Sequence, residues 1–220
     1  MQRSLADENY LKAVFHLSGD NAAPVTTGLL AEYLNVSAAS VTDKMKRLKE
    51  KGYVQYQKSR GVLLSKEGRT IALSVIRKHR LWEQFLVQVL SFRWDEVHEI
   101  AEQLEHIDSD ELIERIDHYL DYPTVDPHGD PIPDEKGKIS ETRLHHLGEV
   151  PVGRKVRIAA VASHDPEFLK FLDKKGLTLY RELMLKSRET YDGMLTLFVP
   201  EKKPVILSEQ VAKQIWVEQV

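Results

Sequence analysis

Ser37 to Leu64 reads SAASVTDKMKRLKEKGYVQYQKSRGVLL, and this stretch decides the architecture of the first part of the chain. Ser37 is a good N-cap for a helix over Ala38 to Lys51, and Gly52 stops that helix. Tyr53 to Gln57 and Val62 to Leu64 are strand-like and are joined by Lys58-Ser59-Arg60-Gly61. Upstream, Leu5 to Leu17 reads as a helix with Leu11, Val14, Phe15 and Leu17 on its apolar side. Gly19 to Pro24 is a loop, Thr26 or Thr27 caps a short helix through Leu34, and Asn35-Val36-Ser37 is a tight turn. Helix, short helix, turn, basic helix, hairpin is the order of a winged helix-turn-helix, which lays the helix from Ala38 in the DNA major groove.

Charge supports that reading. From Ala38 to Arg60 seven basic residues stand against two acidic ones. Ser37, Ser40 and Thr42 are expected to reach bases or phosphates. Lys44, Lys46, Arg47, Lys58 and Arg60 are expected mostly to neutralise phosphates. Asp43 would repel phosphate but can accept a hydrogen bond from cytosine N4. A winged helix also serves as a protein-docking module; the positive balance favours DNA. From Ser91 to Ser140 the balance reverses, with fifteen acidic residues against four basic, so a polyanion-binding module sits beside a cation-binding one.

The acidic part carries the second motif, His98-Glu99-Ile100-Ala101-Glu102-Gln103-Leu104-Glu105-His106. Read as one helix, it puts His98, Glu102, Glu105 and His106 within an arc of roughly 100°. Such a stripe is costly to bury unless a positive charge pairs with it, and a divalent cation would do so. Upstream, His79 and Glu83 repeat the i, i+4 spacing. The 220 residues include no cysteine, so disulfides, zinc ribbons and thiol catalysis are excluded, and any metal must take oxygen and nitrogen ligands. Manganese, iron(II), cobalt, nickel or a catalytic zinc fit such a set. No apolar run approaches the roughly 20 residues that span a membrane. The start, MQRSLADENYLK, lacks a signal-peptide layout, which gives a cytoplasmic location as the expectation.

A long helix is expected from Arg69 to Leu90, with Ile71, Val75, Leu81, Phe85, Leu86 and Val89 giving more apolar surface than one buried stripe needs. Helices over Asp95 to His106 and Ser109 to Leu120 follow. Together they suggest a dimer interface, which a palindromic operator would use. Tyr122 to Lys138 holds four of the nine prolines and reads as a linker or ordered loop, in which Asp126 and His128 stand two apart. Beyond Arg143 come short β-like pieces at Lys155 to Val161, Leu183 to Lys186, Leu195 to Val199, Val205 to Leu207 and Ile215 to Val217, as in a small barrel. A helical piece, Pro166 to Lys174, interrupts them, with His164 and Glu167 at its start.

Several segments resemble one family, the metal-dependent repressors of the diphtheria toxin repressor and manganese transport regulator type. They are Glu8-Asn9-Tyr10-Leu11, Arg77-Lys78-His79-Arg80-Leu81, Val97-His98-Glu99 through Glu105-His106, and Pro127-His128-Gly129-Asp130-Pro131-Ile132-Pro133. The resemblance covers nearly the whole chain. It implies a mainly α chain with a winged helix-turn-helix DNA-binding domain (1–70), a helical dimerisation and metal domain (71–142) and an SH3-like C-terminal domain (143–220). It implies a repressor of metal-uptake genes, active as a metal-loaded homodimer on double-stranded operator DNA, with no small-molecule substrate and no membrane partner.

Ligands carry over residue by residue. The resemblance implies a primary site of Asn9, Glu102, Glu105 and His106. It implies a second of His79, Glu83 and His98, completed from among Asp126, His128, His164 and Glu167. These seven exceed a six-coordinate shell, so one or two are expected outside it. Asn9 stands where relatives carry Asp or Met, and its neutral amide is a weaker ligand. Lys12 replaces a glutamate of the short manganese-responsive relatives, which speaks against their closely spaced two-metal cluster. Glu102 stands where iron-responsive relatives carry Cys, which leans toward Mn2+, with Fe2+ as the alternative. A cation joining Asn9 to Glu102, Glu105 and His106 would fix recognition-helix spacing and act as corepressor. Read without the resemblance, the residues leave two alternatives: a winged-helix regulator sensing a small organic ligand, and a manganese or zinc metalloenzyme. The chain lacks H-E-x-x-H and offers no Ser/His/Asp set.

Overall fold

The computed structural model describes residues 4–19, 23–57, 60–140 and 142–220. In chain order the elements are α1 (Leu5–Ser18), α2 (Thr27–Tyr33), α3 (Ala38–Glu50), β1 (Val54–Gln57), β2 (Gly61–Leu64), α4 (Lys66–Gln88), α5 (His98–Leu104) and α6 (Asp110–Tyr119). They continue with β3 (His145–His146), a short 3-10 turn (Leu147–Glu149), β4 (Lys155–Val161), α7 (Pro166–Lys175), β5 (Glu182–Arg188), β6 (Leu195–Phe198), β7 (Val205–Leu207), α8 (Glu209–Ala212) and β8 (Ile215–Gln219). The chain forms two compact units. One comprises the chain up to His79 with Leu104–Ser109 and Pro133–Lys138; the other comprises Arg80–Gln103, Asp110–Ile132 and Ile139–Val220.

The first unit is the winged helix-turn-helix. Ser4 and Asp7 close a reciprocal capping box on α1, Thr26 caps α2, and Ser37 caps α3. Asn35 takes the left-handed backbone of the turn between α2 and α3, at φ 51°. On α3 the buried positions are Val41, Met45 and Leu48, spaced four and three apart, so Ser37, Ser40, Lys46 and Arg47 stay outward. They pack with Leu11, Val14, Leu30, Val54, Val62 and Ile71 into one core. The antiparallel wing pairs Val54 with Leu64 and Gln57 with Gly61. At the start of α4, a side chain on Gly68 would meet the Tyr53 carbonyl oxygen at 2.0 Å, so only glycine lets the helix lie against that backbone.

The second unit contains α6, α7 and the C-terminal sheet. That sheet is antiparallel in the order β3-β8-β4-β5-β6-β7. Register shifts between Ile158 and Ala160 and between Leu185 and Ser187 mark the irregularities that bend strands. Its inward face, with Leu169 and Leu172 of α7, buries Leu147, Ile158, Leu177, Leu183, Leu185, Leu195, Leu197 and Ile215. This is the SH3-like C-terminal domain. Among the described residues, no helix is long and apolar enough to cross a membrane.

One expectation fails here in a way that matters for the site. The helix expected over Asp95 to His106 runs only from His98 to Leu104. The Ile107 amide donates to the Leu104 carbonyl at 3.1 Å, and Glu105 and His106 sit in the turn this closes. The single His–Glu stripe therefore divides. His98 and Glu102 remain on α5, while Glu105 and His106 leave it for partners on α1.

Candidate metal centres and DNA-facing helix

The second unit assembles a buried carboxylate–imidazole cluster from α4, the 126–130 turn and the chain leaving β4. Glu83 and Arg80 share one face of α4, three apart. Arg80 donates to the Pro131 carbonyl and Gln84 to the Val125 carbonyl at 3.2 Å, which pins the turn to the helix. The turn is tied internally as well. Asp126 Oδ1 accepts from the amides of His128 (2.8 Å) and Asp130 (3.0 Å). Gly129 has φ 89°, and a Cβ there would meet the Ala159 oxygen at 2.1 Å. Glycine thus lets the turn lie against β4, where the Val161 amide donates to the His128 carbonyl at 3.0 Å.

His128 is fully buried, and its Nε2 lies 2.8 Å from the Trp94 carbonyl. A carbonyl can only accept, so Nε2 carries the hydrogen and Nδ1 is the coordinating side. His128 Nδ1 lies 3.5 Å from Glu83 Oε2 and 4.0 Å from Asp126 Oδ1. The His164 ring stacks on His128 with centroids 4.2 Å apart, and its Nε2 is 3.3 Å from Asp130 Oδ2. His98 Nδ1 lies 3.3 Å from Glu83 Oε1. Ligand atoms of Glu83, His128 and His164 all fall within 4.8 Å of one another.

The electrostatics of this cluster turn on closely packed buried carboxylates. Asp130 and Asp126 lie 3.4 Å and 3.6 Å from the Arg80 guanidinium, and Glu83 lies against His98 and His128. Burial, then the Asp130 and Glu83 carboxylates, pushes Asp126 well above the usual carboxylate range. Burial works against charge on His128, but Glu83 and Asp126 outweigh it and raise its pKa. Asp126 Oδ2 and His128 Nδ1 are buried and have no hydrogen-bond partner. Two orphaned donor atoms beside a carboxylate are what a divalent cation with oxygen and nitrogen ligands fits.

Glu167 does not join this cluster. Its side chain is 84% exposed and turned to Lys170 at 3.2 Å, because it occupies the first turn of α7, where the helix dipole favours an acid in solvent. Asp165 caps α7, accepting from the Phe168 amide at 3.0 Å.

The first unit holds a second cluster, joining α1 to the turn after α5. Glu105 is fully buried; both its oxygens lie 2.7 Å from Lys12 Nζ, and Oε2 lies 2.6 Å from His79 Nδ1. His106 Nδ1 lies 2.7 Å from Glu8 Oε2. Asn9 Oδ1 is buried nearby in the chain with no hydrogen-bond partner. Glu102 stays on α5, with an oxygen 3.8 Å from His98 Nε2. Sequence reading passed over Glu8 and Asp130. Each is an acid beside a chosen ligand position, at Asn9 and His128, which was the available signal.

On the outer side of α3, Ser37 Oγ accepts from the Ser40 amide at 3.1 Å and lies 2.8 Å from Ser40 Oγ, both exposed. Thr42 Oγ1 donates back to the Ala38 carbonyl at 2.9 Å. Lys46 pairs in solvent with Asp43 at 3.3 Å, and Arg47 and Arg60 are exposed. Lys44 is engaged elsewhere: its ammonium lies 2.7 Å from the buried Asp7, which Lys51 also meets at 2.7 Å. Its charge serves the domain's interior contacts first. Lys58 lies outside the described residues.

A winged helix with a cationic outer face, together with a buried donor set short of positive charge, defines a metal-responsive DNA-binding regulator. Comparison with known proteins agrees over nearly the whole chain. Residues 4–62 match the iron dependent repressor N-terminal DNA binding domain, residues 65–134 its metal binding and dimerisation domain, and residues 145–219 the FeoA domain. The iron-dependent repressor IdeR of Mycobacterium tuberculosis (strain ATCC 25618 / H37Rv) is 29% identical over 226 residues, covering 97% of this chain and 96% of the relative. The diphtheria toxin repressor of Corynebacterium diphtheriae is 29% identical with the same coverage, 97% and 96%. A solved manganese-dependent transcriptional repressor in complex with manganese is similar with a TM-score of 0.87 and 35% identity, over 97% of this chain and 100% of that one. ScaR with bound Cd2+ gives a TM-score of 0.80 at 32% identity, over 97% and 99%. The chain belongs to the iron-dependent repressor family of metal-dependent transcriptional repressors. Its cofactor is a divalent metal ion, and it is not an enzyme.

Proposed function

We propose that this repressor responds to Mn2+, with Fe2+ as the alternative, and binds operator DNA as a homodimer to control metal uptake in the cytoplasm. The observation that carries the metal assignment is the pair of orphaned buried atoms, Asp126 Oδ2 and His128 Nδ1, beside the Glu83 carboxylate. In this reading Glu83, Asp126, His128 and His164, with His98, hold the ion of the second unit. Its bound cation supplies the positive charge that the carboxylates lack, and oxygen donors with no thiolate suit a hard ion such as Mn2+. Reported relatives bind several metals: one structure carries manganese, others cadmium or zinc.

Asn9, Glu105 and His106, with Glu102, are the donors of the other site. Glu8 orients the His106 ring from the same helix as Asn9. A cation on these donors would tie α1 to the Glu105–His106 turn. Metal then favours the DNA-competent arrangement through its greater affinity for it. Exposed Leu90, Phe92, Leu112, Tyr119 and Tyr122 support a dimer formed by the helical domain. Ser37, Ser40 and Thr42 read bases or phosphates, while Lys46, Arg47, Lys58 and Arg60 neutralise phosphates. The functional parts are 1–70, 71–142 and 143–220.

Fluorescence anisotropy with a duplex from the repressor's own upstream region tests this. Manganese should tighten specific binding by at least about a hundredfold, near the upper end of ordinary allosteric coupling, and a chelator should reverse it. Equal affinity in metal-loaded and chelated protein would refute the reading.

A further inference from the structure

Five basic residues lie between Lys44 and Lys51, and three of them are engaged by the domain itself. Asp7 of α1 takes two. Its side chain is 3% exposed, with Oδ1 2.7 Å from Lys44 Nζ and Oδ2 2.7 Å from Lys51 Nζ. Lys44 Nζ also stands 5.7 Å from the centre of the Tyr10 ring, three residues further along α1. Lys49 Nζ donates to the Tyr56 carbonyl at 3.4 Å. Asp7 is itself fixed, since its Oδ2 accepts from the Ser4 amide at 3.2 Å in the capping box. Lys44 and Lys51 are seven apart and so share one side of α3, where two contacts nearly two turns apart hold both the roll and the tilt of the helix. Burial of Val41, Met45 and Leu48 decides which side of α3 faces inward, but apolar packing is non-directional and does not aim the helix so closely.

We propose that Asp7 is a positioning residue for operator recognition: it withholds Lys44 and Lys51 from DNA phosphates and sets the angle at which α3 presents Ser37, Ser40 and Arg47. The inference rests on the operator-DNA reading above. Moving Lys44 to a phosphate would strip a buried carboxylate of one of its two cations, a cost that a solvated phosphate contact does not offset. Lys46 and Arg47 carry no such tie to the interior: Lys46 pairs in solvent with Asp43, and Arg47 is exposed. Phosphate contacts add affinity for any sequence, whereas base contacts discriminate between sequences. A recognition helix that keeps two ammonium groups off the backbone therefore binds random DNA less strongly and depends more on its base-facing residues. Asp7 thus acts on specificity without touching DNA.

Salt titrations of full-length protein in saturating MnCl2 test this, read by anisotropy on two labelled probes, a duplex from its own upstream region and poly(dI-dC). Asp7→Asn keeps the side-chain shape and frees the lysines. It should steepen the logarithmic salt slope on poly(dI-dC) by about one to two, roughly 0.9 for each phosphate newly met, and shrink the preference for the upstream duplex about tenfold. Lys44→Met should leave the wild-type slope unchanged on both probes, while Arg47→Met should lower it by about one. If Asp7 only supported the fold, Asp7→Asn would weaken binding to both probes in parallel at an unchanged slope, and that result would overturn the proposal. So would a slope lowered by Lys44→Met, which also decides the matter if Asp7→Asn does not fold. Wild type that prefers neither probe would instead refute the operator-DNA reading.

Discussion

The Glu83–His128 cluster and the Glu105–His106 cluster are built from the same side chains and differ in who supplies the positive charge. In the first, Arg80 meets Asp126 and Asp130, burial and the neighbouring carboxylates raise the pKa of Asp126, and two buried ligand atoms have no hydrogen-bond partner. In the second, Lys12 sits on the buried carboxylate and leaves one neutral oxygen, that of Asn9, unserved. Counting histidines and glutamates along a sequence makes the two look alike. What separates them is a lysine 93 residues away in the chain from the glutamate it neutralises. A His/Glu constellation calls for a metal when its own charges fail to close.

The largest expected effect breaks the charge-deficient cluster. Glu83→Ala removes a fully buried carboxylate that faces both His98 and His128. It should abolish manganese binding at this cluster and metal-dependent DNA binding, with little loss of metal-free fold. Unchanged manganese stoichiometry and affinity, read by calorimetry, would place the site elsewhere.

Next in size is a test of how a lysine-neutralised acid behaves when its partners are fixed. Asp7 closes the α1 capping box and carries Lys44 and Lys51. Burial opposes its charge, but the two lysines hold its pKa well below the ordinary 3.8. A depressed carboxylate stabilises the fold fully above its unfolded pKa and loses that contribution as the pH falls toward the folded value. Asp7→Asn should therefore cost about 2 kcal/mol at pH 7, and the gap from wild type should shrink steadily below about pH 4. Urea unfolding at pH 7 and pH 3 measures both; a gap independent of pH would remove Asp7 from the account.

A smaller effect sharpens the comparison from outside the donor set. Asp173 of α7 accepts the Trp94 indole N–H at 3.2 Å and an Arg93 N–H at 3.0 Å. The Trp94 carbonyl in turn orients His128. Asp173→Ala should weaken manganese binding at this cluster about tenfold, as loss of a ligand-orienting contact does, and should alter the tryptophan emission change on metal addition. Unchanged affinity would mean the His128 ring is held by packing alone.

Much of the fold was legible because it rests on local chemistry. Ser37 as a cap, the Val41–Met45–Leu48 spacing and Gly52 after the helix define α3, and alternation in Lys155 to Val161 gives β4 residue for residue. The two-residue β3 and the four-residue α8 were missed because so few residues leave no periodicity to read. The candidate site was legible as a set of residue types. Its partition was not, because the helical stripe over His98 to His106 assumes a helix that ends at Leu104. Nor could local pattern reveal Glu8 against His106, 98 residues away, or the Trp94 carbonyl on His128, 34 residues away. Glu167 had suitable spacing from His164, yet solvent and Lys170 hold it away.

Manganese anomalous diffraction on crystals loaded with less than one equivalent of metal tests the central claim most directly. The account predicts a strong peak among Glu83, Asp126 and His128. Manganese bound elsewhere in the chain with no peak there would contradict it.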